Sequence, residues 1–417
     1  VTTTGGATTG GTTTADGPAT EPVVLSTFAD AKDAYRAKDL RQSLYDEGEV
    51  IMADVLVNLH GDEHRARRRA ENRMFRRDVF ERYERELFPD VIAATLAPHL
   101  AAGRADLVPL GHQLMLNLAA LTAGVDRPLG TPEETRRLYD SMMLFIEGAT
   151  LAHSTGDKDA QRRRIAAGLL EWDEEFLAPS VARRRDLLAR RAAGEDASLP
   201  RDVLTTLLEH EDDLGLTPEV LRREVAFFLL AGAHTTATAF VRSIDHVLGW
   251  VAAHPEDADA VRTDPLFVQR CIHETLRLNP SSPVGRRRAL APVRLRSGIE
   301  IPEGAPVVLD LQKINRDPAV FGDDADAFDP HRALPPGVAP FGLSFAAGMH
   351  VCIGQDLAAG VVPREGADLD GHLFGLLTGS VQSVLAAGVQ RDPADPPQPD
   401  RNTLRPYWGR YPVLLRG

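Results

Sequence analysis

The segment TPEVLRREVAFFLLAGAHTTATAFVRSIDHVLGWVAAHP, residues 217–255, decides how this chain is read. Thr217 can cap a helix with its side-chain oxygen. Pro218 suits the first helical position, where no N–H is needed, and Glu219 places negative charge in the first turn. A helical pattern then runs unbroken to Pro255. At 1.5 Å per residue, about 36 residues reach roughly 54 Å, the width of a whole domain. The middle of the segment, AGAHTT (231–236), is unusual for a helix interior. Gly232 costs about 1 kcal/mol relative to alanine, and Thr235 and Thr236 can bond back to the preceding turn. Such residues suit close approach of a ligand with a local distortion, and a helix-crossing contact would use the same ones.

Helical patterning extends in both directions. Asp264-Pro265 opens a second well-marked helix that ends at Asn279-Pro280. Upstream, 61–100, 106–125, 131–155, 158–193 and 200–211 have apolar residues recurring at threes and fours, and 28–40 does so on a smaller scale. Strands are expected at 23–27, as short pieces within 292–310, and as a pair within 404–417. The chain therefore reads as mainly α with a small β part, a single unit over 23–417 behind a Gly/Thr-rich leader at 1–22.

Composition narrows the function. The 417 residues carry 47 Lys+Arg against 60 Asp+Glu, a net charge of −13, which argues against a general nucleic-acid binder. Two cysteines, Cys271 and Cys352, make no disulfide framework and suit a reducing compartment. The longest apolar run, VAFFLLAGA (225–233), is about half of what a bilayer requires. The leader lacks the basic and apolar regions of a signal peptide. The expectation is a cytoplasmic protein that does not bind membranes.

Four features bear on chemistry. FAAGMHVCIG (345–354) is a glycine-rich loop around Cys352. Its sulfur is either an inert buried thiol or a thiolate metal ligand steadied by backbone N–H groups. A zinc site shared with His350 lacks a second Cys/His pair at suitable spacing. HETLRL (273–278) sets Glu274 and Arg277 three apart on one helix face, FDPHR (328–332) ends at Arg332, and AGAHTT completes the set.

In their order and spacing, AGAHT, HETLR, FDPHR and FAAGMHVCIG resemble the soluble bacterial type of the cytochrome P-450 family. The resemblance covers roughly residues 23–360 and the C-terminal strands. It implies that family's fold, with a long central helix over haem and the cysteine-ligand loop beneath. It implies haem b (iron protoporphyrin IX) with Cys352 as the iron ligand, a thiolate that favours O–O cleavage. Phe345, Gly348 and Gly354 of the loop would border the cofactor, the glycines letting backbone pass close to a flat ring. Glu274, Arg277 and Arg332 would form a structural charge triad. His64 and Arg68, from H-x-x-x-R in GDEHRARRR (61–69), together with His350 and Arg287 of GRRRALAP (285–292), would face the propionates. Arg286 and Arg288 leave the register of Arg287 open. The rest of the basic run at 64–77 is either a solvated helix face or a patch for an acidic ferredoxin.

By the same resemblance Thr235 helps deliver protons to dioxygen, and His234 stands where most soluble members carry Asp or Glu. The sterol demethylase branch also has histidine there, and imidazole can relay protons. The implied function is a haem-thiolate monooxygenase that draws electrons from NAD(P)H through a ferredoxin and its reductase to oxidise a mainly hydrophobic small molecule, as in natural-product biosynthesis. The alternative keeps the haem thiolate but performs coupling, desaturation, ring formation or peroxide-driven oxidation. Two departures from the family accompany these readings: the leader replaces the usual first helix and strand, and Gly360, Pro363 and REGADLDG (364–371) interrupt the helix after Cys352. A kink or inserted loop is expected, with the helix resuming near Leu373. Substrate selectivity is expected from 45–58, 141–155, Phe227, Phe228, Ala231, the stretch 281–284 with Pro283 and Val284, and the turn near Tyr407 and Trp408.

Overall fold

The computed structural model describes residues 21–363, 366, 369–401, 403 and 405–416. Most of the leader, 1–20, lies outside the described residues. The decisive helix spans Pro218–Ala253, 36 residues, with Thr217 accepting the Val220 N–H. It is continuous through AGAHTT, so the expected distortion does not occur. The Thr235 and Thr236 hydroxyls donate to the Ala231 and Gly232 carbonyls without opening the helix. Gly232 serves a crossing contact, since an added Cβ would sit 3.3 Å from the Cβ of Ala119, and it also lines the cavity between this helix and the Cys352 loop.

By length and composition this helix could cross a bilayer, contrary to the run-length count, yet 72% of its most apolar window is buried inside the protein. Leu107–Ala123, Pro132–Ala149, Pro265–Leu278 and Leu376–Ala386 pack around it and build the main core. The 61–100 run is broken. A helix at Gly61–Glu71 is followed by turns, then Arg77–Arg82, a π turn at Tyr83–Leu87, and Phe88–Ala102.

A second, smaller core lies under a four-stranded sheet. Val23–Leu25 runs parallel to Val307–Leu309 in the strand Pro306–Asp310. That strand pairs antiparallel with Val284–Ala289, which in turn pairs antiparallel with Leu40–Gln42. The C-terminal strands do not pair with each other. Trp408–Arg410 joins Gln398–Pro399, whereas Pro412–Leu414 joins Arg104–Asp106 and Gln390–Arg391.

After Cys352 a short helix, Gln355–Ala359, stops at Gly360 (φ 75°), and the helical course resumes at Leu376. The intervening residues form an inserted loop, as expected, with Arg364, Glu365, Ala367 and Asp368 outside the described residues. The loop returns to its own point of departure. Val361 N–H donates to Leu373 C=O at 2.9 Å, and a Cβ on Gly375 would collide with the backbone of Gly360. Glu84 accepts the N–H groups of Phe374 and Gly375 at 2.9 Å, and Gln269 bonds the carbonyls of Ala359 and Val361. The interrupted helix is thus stitched across the gap.

Candidate active site

Between the long helix and the cysteine loop lies a mostly apolar cavity with Cys352 in its wall. The loop closes through Cys352 N–H donating to Phe345 C=O at 2.9 Å. Ala346, also in the wall, is held at φ 59°, a left-handed conformation that non-glycine residues rarely adopt. Burial pushes the Cys352 thiol up. The Gly354 N–H and the charge of Arg68 oppose that and favour the thiolate.

The loop rests on a fully used ion network. Arg277 donates to both oxygens of Glu274 at 2.6 and 2.7 Å and to the carbonyls of Asn315 and Ala325 at 2.7 Å. Arg332 adds a bond to Glu274 at 3.1 Å and bonds to the carbonyls of Phe321, Asp324 and Ala327. Asn315 passes this order upward, accepting Leu343 N–H at 2.8 Å and donating to Ser344 Oγ, which itself bonds Leu276 C=O. Glu274, Arg277 and Arg332 do not themselves line the cavity. They position the segment that carries Cys352.

One edge of the cavity gathers cationic and imidazole groups. His64, Arg68, Arg287 and His350 all line it. The rings of His64 and His350 lie 4.5 Å apart. Both nitrogens of His64 and Nε2 of His350 are buried without a hydrogen-bond partner. Burial depresses them to about 4 and about 3, and the neighbouring cations add to the effect. Strand alternation settles the arginine register. Arg287 is buried and faces the cavity, whereas Arg286 and Arg288 point to the other face. Gln42, directly opposite Arg287 in the sheet, accepts from it at 2.6 Å, and Tyr35 lies under its guanidinium at 4.8 Å.

These residues fit the expected haem. A thiol sits in an apolar wall, and orphaned, buried donors stand where a carboxylate-bearing edge would satisfy them. Cys352 would hold the iron, and His64, Arg68, Arg287 and His350 would hold the propionates. Phe345 and Gly354 also line the cavity. Gly348 does not. Its φ of 70° and the Tyr35 carbonyl, with which any Cβ would collide, explain the glycine, so its tight approach is to backbone rather than to a flat ring.

On the opposite wall Phe227, Phe228, Ala231, Thr235 and Val284 line the cavity, joined by Tyr45, Leu56 and Val57 from the 45–58 stretch and by Phe75, which stacks on Phe228 at 5.9 Å. Pro283 is not in the wall. Its carbonyl instead accepts Leu311 N–H at 3.0 Å. Neither 141–155 nor Tyr407 and Trp408 reach the cavity. Tyr407 is buried in a polar cluster with Arg405 and the carbonyl of Ser281, which, like Ser282 of the 281–284 stretch, also lines the cavity.

His234 joins that cluster, not the cavity. Its ring stacks on His112 at 5.8 Å and meets Tyr407 edge-on at 5.6 Å. Burial holds the imidazole well below its usual range, and His112 and Arg405 reinforce this. Thr235, the next residue, turns into the cavity, its hydroxyl donating to Ala231 C=O at 2.8 Å. No cluster of three or more His, Cys, Asp or Glu suited to a metal ion occurs among the described residues.

The family profile for cytochrome P-450 matches residues 173–360. A cyclooctat-9-en-7-ol 5-monooxygenase of Streptomyces melanosporofaciens is 27% identical, over 76% of this chain and 71% of its own length. Pulcherriminic acid synthase of Bacillus subtilis is 25% identical, over 80% and 78%. The crystal structure of CalO2 superposes with a TM-score of 0.71 at 23% identity, covering 94% of this chain and 91% of that one.

Proposed function

The chain belongs to the cytochrome P-450 family and is an oxidoreductase of the haem-thiolate monooxygenase type; from that premise we propose how its own residues serve the reaction. The observation that carries the reading is the convergence of Cys352 with His64, Arg68, Arg287 and His350 on one cavity. Bound there, haem with a thiolate ligand supplies the oxidising chemistry, using dioxygen and two external electrons. The chain's part is to hold, exclude and deliver. The arginines and histidines fix the cofactor's orientation through its carboxylates. The triad keeps the cysteine loop from relaxing. The wall of Phe75, Phe227, Phe228 and Val284 excludes water and favours a mainly hydrophobic small molecule, consistent with a natural-product substrate.

In this reading the Thr235 hydroxyl, which faces the cavity and is anchored on Ala231 C=O, would serve proton delivery, whereas His234, buried with neither ring nitrogen hydrogen-bonded, has no bonded path to it. Replacing Thr235 by alanine should lower coupled product formation by about 100-fold. Unchanged coupling would remove Thr235 from the route.

Electrons come from NAD(P)H by way of a ferredoxin and reductase, in a cytoplasmic protein that is one domain from residue 23. Much of the basic run is already engaged: Arg67 with Glu224, Arg65 with Asp62, Arg76 with Asp78 and Arg77 with Glu81. Arg69, and Arg73, which bonds the His210 ring and no carboxylate, leave some positive character for an acidic partner. Ferredoxin-dependent reduction should slow as salt is raised.

The orientation of His234 supports the second reading, non-hydroxylating oxidation. A carboxylate is absent, and the imidazole in its place faces His112. The deciding experiment is a small-molecule screen for spectral shifts of the purified ferric protein, then product analysis of the best binder with parent and His234→Asp protein. Hydroxylated product from both would leave the first reading standing. Coupled, desaturated or cyclised product from the parent would replace it with the second.

A further inference from the structure

Residues 53–58 form a chain of turns between the short helix Glu49–Met52 and the helix Gly61–Glu71, and Leu56 and Val57 from it stand in the cavity wall. This lip is gripped at two points by consecutive residues of the long helix. The Glu224 carboxylate accepts the Leu56 N–H at 3.0 and 3.1 Å, and the Arg67 guanidinium holds that carboxylate from the other side. Arg223 donates to Ala53 C=O at 2.8 Å and to Asp54 Oδ2 at 3.0 Å. Asp54 sits at φ 58°, a conformation that an aspartate holds at a cost and that Arg223 secures. Glu224 is fully buried and lies one helical turn from the cavity-lining Phe228. Glu71 is also fully buried beside it. Burial raises both carboxyls, Glu71 well above its usual range with the charge of Glu224 adding to the effect and Glu224 to about 7, and Arg67 opposes the rise in each.

Ordinary helix packing needs none of this. A buried carboxylate is expensive, and here it is spent on a single backbone N–H of a cavity-lining turn. We propose that Arg223 and Glu224 are positioning residues for substrate size: together they set how far the 53–58 lip stands from the long helix, and so how bulky a molecule passes Leu56 and Val57 to enter the cavity. This rests on the reading of the cavity as the haem and substrate site.

The test uses haem-loaded protein, as parent, Arg223→Ala, Glu224→Gln and Glu224→Ala. Binding rates of imidazole and of clotrimazole, a bulky triaryl imidazole, are followed optically, and amide exchange is followed at 54–58. Loss of either grip should speed clotrimazole association and dissociation by about tenfold while imidazole rates stay within about twofold, and should raise exchange at Leu56. Glu224→Gln keeps an oxygen for the Leu56 N–H and should fall between parent and Glu224→Ala. Should Glu224→Ala not fold, Arg223→Ala and Glu224→Gln decide the matter. Equal changes for both probes, or none for either, would overturn the clamp. A parent protein that takes up no haem with a thiolate spectrum would overturn the reading of the cavity beneath it.

Discussion

The floor and the lip of the cavity each rest on a buried glutamate, and the two are used differently. On the floor, Glu274 meets two guanidiniums and the Asp329 N–H, and the arginines spend their remaining N–H groups on five carbonyls of the segment 315–327 and on the Asp324 carboxylate. At the lip, Glu224 meets one guanidinium and one backbone N–H, and the buried carboxyl of Glu71 beside it is held well above its usual range. A network that satisfies every member locks a segment in place. A pair with a second ionisable carboxyl beside it can be loosened. The thiolate side of a haem site calls for the first, and an entrance for the second.

The largest effect that would break the contrast is chemical. Cys352→Ser should abolish the thiolate signature of the reduced carbon monoxide complex entirely, while the folded floor persists by circular dichroism. Next is the cost of removing each glutamate. Glu274→Ala strands the buried Arg277 guanidinium and leaves Arg332 with the Asp324 carboxylate alone, and should cost about 3–5 kcal/mol in urea unfolding. Glu224→Ala should cost about 2 kcal/mol, because Glu71 can ionise in its place beside Arg67. Equal costs would erase the distinction.

Acid should strain the floor side. His246, on the long helix, bonds Thr275 Oγ1 at 3.1 Å, and burial lowers its imidazole from 6.5 to about 4. The unfolded chain therefore takes up this proton first as pH falls. Stability that is full above 6.5 is lost towards pH 4, by up to about 3 kcal/mol for this group. His246→Gln should make that arm shallower by this group's share in unfolding measured at several pH values, since His64, His153, His273 and His350 are lowered in the same direction.

The lip has the opposite sign and the smallest effect. Glu71 is raised above the ordinary 4.5, so the folded state keeps its proton longer and stability declines as pH rises from 4.5 through the folded value. The decline is at most about 1.4 kcal/mol per pH unit for one proton; Glu224 is raised in the same direction, to about 7, so Glu71→Gln should reduce the decline rather than abolish it. An unchanged pH profile would place the retained proton elsewhere.

Local signals carried much of this site. Thr217-Pro218 and Asp264-Pro265 announced both helices because capping and proline geometry are decided within one turn. The spacing in HETLRL put Glu274 and Arg277 on one face, and the cysteine loop declared itself through its glycines. The insertion after Gly360 was legible from proline and glycine, but its closure on Gly375 was not, because that depends on Gln269 and Glu84 far along the chain. Pro283, Gly348, Tyr407 and Trp408 were assigned to the cavity by neighbourhood in sequence, yet a small rotation of a strand or loop sends a side chain to the other face. Gln42 gave no signal at all, since its value lies in standing opposite Arg287 across the sheet.

Sequence alone determined the helices, the thiol and the ionic partners, because propensity, capping and i,i+3 spacing act over a few residues. Tertiary structure alone decided that His234 turns to His112 while Thr235 faces the cavity, that Arg287 and not its neighbours reaches the edge, and that Glu224 holds Leu56. Those outcomes depend on the rotation of one element against another. That rotation is set by the packing of whole faces, which no short window of residues contains.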